Sequence, residues 1–336
     1  MGQARARGRW AWWVALLSRR ETGEALALFR IFSGVAVILN MGSAIGFDMV
    51  SFLWLDAEFG GYRDVGGNWL VQALGGARPE VVWPLVVSTL VAGVTLTLGV
   101  FGRVSALVAA QGLLAVASIN SHAKGSYDAL LVNSLWILVL ADATATLSLA
   151  CRRRTGRWTS DALVASWPRI LAITQICVVY TSTGLHKLSM SWTPAGGFSA
   201  LYYILQQPSW HRGDMTWLAW PGLYQLTQLA TAITWVWELT FWMVAVTLYL
   251  RDDPTRPGRL RALVNRVDLR LAYVAVGVVL HSSVAALMVV GPFWWITLAY
   301  YPCLFHPQEL RAFFTWITGR PAARAGPASS GSSAAG

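Results

Sequence analysis

RWTSDALVASWPRILAITQICVVYTSTGLHKLSMSWTPAGG, residues 157–197, decides how this chain is read. An apolar run from Ile170 to Leu188 is long enough to cross a bilayer. It carries a histidine and a lysine, His186 and Lys187, to one membrane edge, and Trp192 and the pair Gly196-Gly197 follow at once. An ionisable residue at the end of a membrane helix is either an anchor that snorkels to the interface or part of a site.

Composition sets the class. The chain is 55% hydrophobic and 12% charged, with a mean hydropathy of +0.49. Soluble domains carry roughly 25% charged residues, so an all-α integral membrane protein is expected. The formal net charge of +10 is then a matter of topology, and no nucleic-acid partner is expected. Three cysteines, two of them in apolar segments, give no disulfide framework.

Apolar segments at 25–46, 83–102, 104–120, 128–149, 167–188, 228–250, 269–290 and 292–307 predict about eight membrane helices. With the N-terminus cytoplasmic, 19 of the 26 Lys and Arg fall on the inner side, in runs such as Arg152–Arg157 and Arg251–Arg270. The outer loops hold five: Arg63, Arg78, Lys124, Lys187 and Arg212. That asymmetry predicts a multi-pass cell-membrane protein with both termini cytoplasmic. Arg30 and Arg169, inside spans near the inner edge, are expected to snorkel.

Three regions follow. Residues 1–21 form a basic, aromatic interfacial segment without a signal-peptide cleavage site. Residues 22–310 form the membrane domain, and 311–336 a cytoplasmic tail, disordered after about residue 320. Two long outer connections, about 47–82 and 189–227, are rich in Trp, Gly and Pro. They are expected to fold as short interfacial helices roofing the bundle.

Candidate site residues are the polar groups inside or at the ends of spans, where burial is costly. Helical spacing places Tyr180, Gly184 and Lys187 on one face. Glu238, with no Lys or Arg within ten residues, is expected to be protonated or paired with another helix. His281 is either a satisfied packing group or part of a polar relay with Glu238 or Lys187. Asp128 opens the fourth span, where a carboxylate suits a helix N-terminus. The five histidines form no metal-ligand pattern, and no phosphate-binding loop or nucleophile elbow is present.

The run Tyr180-Thr-Ser-Thr-Gly184-Leu-His186-Lys187-Leu188, followed by Trp192 and then glycine, resembles the most characteristic segment of the HTTM (horizontally transferred transmembrane) family. That family includes the membrane domain of vitamin K-dependent gamma-carboxylase. Leu26-Ala-Leu-Phe29-Arg30-Ile31 with Gly34, Ser126-Tyr127-Asp128-Ala-Leu-Leu, Trp158-Thr-Ser160-Asp161-Ala-Leu, and His281 with Gly291-Pro-Phe293 resemble its other conserved stretches in the right order. The resemblance implies Lys187 as the base acting on a reduced quinone, whose reaction with oxygen drives glutamate carboxylation. His186, Glu238 and His281 are then candidate catalytic partners, and Tyr180, Gly184, Trp192, Asp128 and His122 candidate substrate- or cofactor-binding positions. Gly125 stands where the carboxylase carries the histidine assigned to its CO2 step, with His122 nearby. The implied partners are the lipid bilayer and a secreted peptide or protein. The alternatives are a non-catalytic binding, maturation or immunity factor and, third, a small-molecule transporter.

Overall fold

In a computed structural model the chain is described over residues 9–251 and 258–318. The disorder expected after residue 320, and Arg5 and Arg7 of the basic leader, lie outside the described residues. The first elements are α1 (Arg9–Leu17) and a short strand β1 (Arg20–Thr22). α2 (Glu24–Gly46) then crosses the whole bundle, an unbroken apolar helix of 23 residues. The first long connection carries α3 (Met49–Trp54) and α4 (Trp69–Ala73). α5 (Pro79–Leu98), α6 (Gly102–Ile119) and α7 (Ser126–Leu140) complete an antiparallel group with α2. Pro79 stands in the first turn of α5, where its missing N–H costs nothing.

α8 (Leu149–Thr155) holds the arginine cluster, and a strand β2 (Leu163–Ala165) pairs antiparallel with β1. α9 (Trp167–His186) enters the bundle after this ribbon. The second long connection carries α10 (Ala200–Leu205). α11 (Leu223–Leu239) and α12 (Trp242–Arg251) follow as one helix broken by 52°. α13 (Arg259–Arg266), α14 (Leu269–Leu287), α15 (Phe293–Ala299) and α16 (Pro307–Thr318) end the described chain.

Among the described residues four helices, α2, α5, α6 and α14, are long and apolar enough to cross a membrane, and the bent pair α11–α12 makes up to a fifth. The expected count of about eight is not shown by these helices. α7 has 15 residues and ends at Leu140 instead of continuing to 149. α9 has 20, but its Arg, Gln, Thr and Ser content keeps it out of that set. The stretch 292–307 is no span-length helix: α15 has seven residues, and a 3-10 turn, Tyr301–Leu304, replaces the rest around Pro302. It is buried instead, with Ile296, Ala299, Tyr300 and Leu304 fully enclosed.

The two intramembrane arginines do not snorkel. Arg169 makes a two-pronged pair with Glu21, at 2.7 and 2.8 Å, and donates to the Cys303 carbonyl. Arg30 is fully buried and donates to four carbonyls, those of Leu96, Thr97, Ala143 and Leu147. These carbonyls lie at the end of α5, where helix ends leave acceptors short of partners, and in the turn after α7; Leu96 also accepts from the Gly99 N–H.

The end of the bundle holding α1, α16 and both of these arginines is the near end; the opposite end is the far end. α16 docks at the near end through Arg311, which binds Glu24 and Asp161, and through Glu309, whose carboxylate takes two bonds from Arg270, at 2.8 and 3.0 Å. Arg270 also grips Asp268 at 2.5 Å. Burial raises the Asp268 and Glu309 carboxyls, but the bonds from Arg270 outweigh it and leave both below the usual carboxylate value. A carboxyl depressed on folding contributes fully above its unfolded value near pH 4 and loses that contribution as pH falls through the folded one. Hydrogen exchange of the α16 amides, corrected for intrinsic rate, is therefore expected to accelerate between pH 6 and pH 3. Arg270→Gln is expected to reduce that pH dependence, leaving the part carried by the Arg311 pairs, and equal protection at both pH values in the unaltered protein would count against the clamp.

Candidate functional site

Gly184 creates the site. A Cβ there would lie 2.7 Å from the Leu239 nitrogen and 3.0 Å from the Glu238 carbonyl carbon, so only glycine lets α9 and α11 touch backbone to backbone. The contact occurs where α11 breaks. Glu238 is the next-to-last residue of α11, not a mid-helix residue, and Thr240 lies in the gap before α12. Tyr273 of α14 staples the break, its hydroxyl reaching the Thr240 Oγ1 at 2.7 Å and carbonyl at 3.1 Å.

Lys187, the residue that closes α9, donates its Nζ to Glu238 Oε2. Its ammonium also stands 4.9 Å from the centre of the Trp192 ring, a cation–π contact. The two side chains are 17% and 9% exposed, so Lys187 is no free interfacial anchor. Of the two alternatives for Glu238, protonated or paired with another helix, the structure has it beside Lys187 at the end of α9, 51 residues away in the chain. The negative end of the α9 dipole adds a further attraction for the ammonium.

Beneath this pair lies an aromatic nest. Tyr180, one turn below Gly184, donates or accepts at His281 Nε2 over 2.6 Å and lies 3.4 Å from the Tyr301 hydroxyl. Its ring packs on Trp237 and Phe241 at 4.6 and 4.5 Å. His281 therefore does not relay to Glu238 or Lys187: its partner is Tyr180, and its buried Nδ1 has none among the described residues. Sequence reading missed Tyr301, Trp237, Phe241 and Tyr273. A signal for Tyr301 existed in Gly277, one turn before His281, where a Cβ would overlap the Tyr301 hydroxyl.

Other predicted residues fall elsewhere. His186 points outward, its Nδ1 held by the Ser182 carbonyl at 2.7 Å. His122 sits exposed in the turn before α7. Asp128 caps α7, taking the Gly125 N–H at 2.8 Å, and binds Asn40 of α2 at 3.2 Å. It lines a separate far-end cavity of about 160 Å³, to which Lys187 contributes nothing. A second hollow, a groove of about 410 Å³ between α11 and α14, is lined by Ile233, Val236, Trp237, Thr240, Tyr273 and Val276, among others. It passes beside the residue preceding Glu238. No group of three His, Cys, Asp or Glu that could hold a metal occurs among the described residues.

The site is thus a largely buried lysine–carboxylate pair beside Trp192, at a broken helix at one edge of a multi-pass membrane bundle. The HTTM domain family matches residues 19–250, and the chain belongs to that family. No curated protein and no solved structure matches it.

Proposed function

We propose that this HTTM protein is a carboxylase-like membrane enzyme in which the Lys187–Glu238 pair takes a hydroxyl proton from a reduced quinone. The observation that carries this reading is the pair itself, two opposite charges held mostly out of water at a helix break. Outside water, the ammonium–carboxylate form and the amine–acid form lie closer in free energy than in bulk. In the amine–acid form the pair's proton rests on Glu238 and the Lys187 amine takes the quinol's hydroxyl proton. That leaves a quinolate anion and an ammonium that donates to the Glu238 acid's carbonyl oxygen under the Trp192 ring. The groove between α11 and α14 fits a flat apolar ring with an isoprenoid tail: its walls are aliphatic and aromatic, and its lining residues with polar side-chain groups are Trp237, Thr240 and Tyr273. When bound, a reduced quinone supplies, with oxygen, the strong base needed to deprotonate a glutamate. The same reading takes the near end as cytoplasmic and the acceptor as a peptide or protein on the far side.

A second reading is favoured by one observation. Lys187 is fully engaged by Glu238 and Trp192, as a purely structural clasp would be, while the second long connection exposes Tyr203, Trp210 and Trp220. In that case the protein binds a secreted partner through this aromatic roof and aids its maturation or gives immunity. Transport gains nothing from the geometry, since below Tyr180 the inner face of α9 is closed by Ile173, Ile176 and Cys177.

Oxygen-dependent oxidation of a reduced naphthoquinone by the detergent-purified protein separates these readings. Lys187→Arg keeps a cation for Glu238 but cannot supply a neutral base. Both Lys187→Arg and Lys187→Ala are expected to lose about 10²–10⁴-fold in rate, the usual worth of a positioned base, with Lys187→Arg still folded. Undiminished turnover in Lys187→Arg removes the lysine as base; no turnover in the unaltered protein shifts the assignment to the binding role.

A further inference from the structure

The far-end cavity has a chemistry of its own, independent of the quinol reading. It lies among α2, α3, α6 and the start of α7, opens where Ser43 and Phe47 are exposed, and holds about 160 Å³. Asp128 and Asn40, 7% and 9% exposed, make its polar corner.

Counting protons shows what that corner wants. Asp128 Oδ1 accepts from Asn40 Nδ2 and Oδ2 from the Gly125 N–H, and each oxygen keeps a lone pair. Ser43 donates its hydroxyl proton to the Asn40 carbonyl at 3.0 Å, so its oxygen faces outward as an acceptor. The Asn40 carboxamide oxygen is a further acceptor. The remaining donors, the second Asn40 N–H and the Tyr127 hydroxyl, are neutral, and no Lys, Arg or His lines the space. The corner thus carries one negative charge; Lys124 acts on Asp128 from nearby but does not line the cavity. An anionic ligand, a glutamate side chain included, meets repulsion here.

The remaining wall includes Phe47, Trp54, Tyr127, Met41 and Met49. Aromatic faces attract a cation, and thioethers are polarisable. Cavities of roughly this volume hold a benzene-sized guest, so a headgroup the size of choline or ethanolamine fits. We propose that this cavity binds the ammonium group of a small organic cation, charge on Asp128 and alkyl surface on the aromatic wall. The ammonium comes from a lipid headgroup at the membrane edge or from a free amine.

The test uses the full chain in nanodiscs of phosphatidylglycerol, a lipid without an amine, titrated calorimetrically with ethanolamine and with tetramethylammonium. Binding of at least one is expected. Asp128→Asn keeps an acceptor for the Gly125 N–H but loses the charge, and should weaken binding at least tenfold. Ala117→Leu, which fills the cavity from α6 without touching the carboxylate, should abolish it. In discs containing phosphatidylethanolamine, native mass spectrometry separates the sources: retention of that lipid and weakened titration by free amine mark a headgroup site, and unchanged titration marks a free-amine site. The proposal is overturned if neither amine nor amine lipid binds, if both variants bind like the unaltered protein, or if acetate binds as well as the cations.

Discussion

Arg30→Met is expected to cost the protein about 3–5 kcal/mol of stability, enough to unfold most domains in mild detergent. The methionine fills similar space, so the loss is not a cavity effect. It comes from the carbonyls of Leu96, Thr97, Ala143 and Leu147, which share one guanidinium, although Leu96 keeps the Gly99 N–H. Each buried acceptor left bare costs about 1–3 kcal/mol, and removal of a lone buried charge returns part of the sum. Lysine cannot reproduce the planar five-donor fork, so Arg30→Lys should recover less than half. Gly99→Ala approaches the same knot from the other side. Gly99 has φ +71°, and its Cβ would lie 2.8 Å from Arg30 Nη1 and 2.4 Å from Ser148 Cβ. Left-handed strain together with that contact predicts a loss of about 1–3 kcal/mol. Tryptophan-fluorescence melts in detergent read both effects, and an Arg30→Met melt within a degree or two of the unaltered protein would refute the capping role.

Arg30 also marks where the sequence stops being readable. Its position inside an apolar run near one edge is what a snorkelling anchor looks like, and the same is true of Arg169. The carbonyls that capture Arg30 are 66 to 117 residues away, and no local pattern announces them. What depends on local composition was legible: α2 over 24–46 against an expected 25–46, α6 over 102–119 against 104–120, and short helices in both long connections. What depends on partners was not. α7 stops early, at Leu140, and Ser148, whose side chain takes the Cys151 N–H, starts a new helix. The β1–β2 ribbon has three residues per strand, below any periodicity signal. α13 and α16 are amphipathic rather than apolar, so a search for apolar runs passes over them.

The candidate site divides the same way. The face shared by Tyr180, Gly184 and Lys187 follows from helical spacing alone, and all three do turn toward α11 and α12. What the missing Cβ of Gly184 makes room for is the backbone of α11, a neighbour that spacing within α9 does not name. Glu238 was legible as a charge needing a distant partner, without the partner's name. His281 was left between a packing group and a relay to Glu238 or Lys187, because its partner, the Tyr180 hydroxyl, carries no charge to advertise it.

The second large effect is expected at the ion pair, and it is asymmetric. Lys187→Met leaves Glu238, 9% exposed, as a buried carboxylate with no cation, and should cost about 3–4 kcal/mol. Glu238→Leu leaves Lys187 on a flexible stem at the membrane edge, with Trp192 still over it, and snorkelling should limit that loss to about 1–2 kcal/mol. In the double variant, Lys187→Met with Glu238→Leu, two apolar side chains meet across the same Gly184 contact. Buried ion pairs replaced by apolar groups are often no less stable, so the double variant should regain most of the loss, a coupling of about 2 kcal/mol or more in a double-mutant cycle. Thermal melts and the naphthoquinone assay on the same four proteins then carry the argument. A double variant as stable as the unaltered protein and silent in the assay means that apolar contact suffices to join α9 to α11, and that the charges serve the chemistry. Strictly additive losses would mean that Lys187 and Glu238 do not stabilise one another, and the proton-handling pair proposed for this site would have to be abandoned.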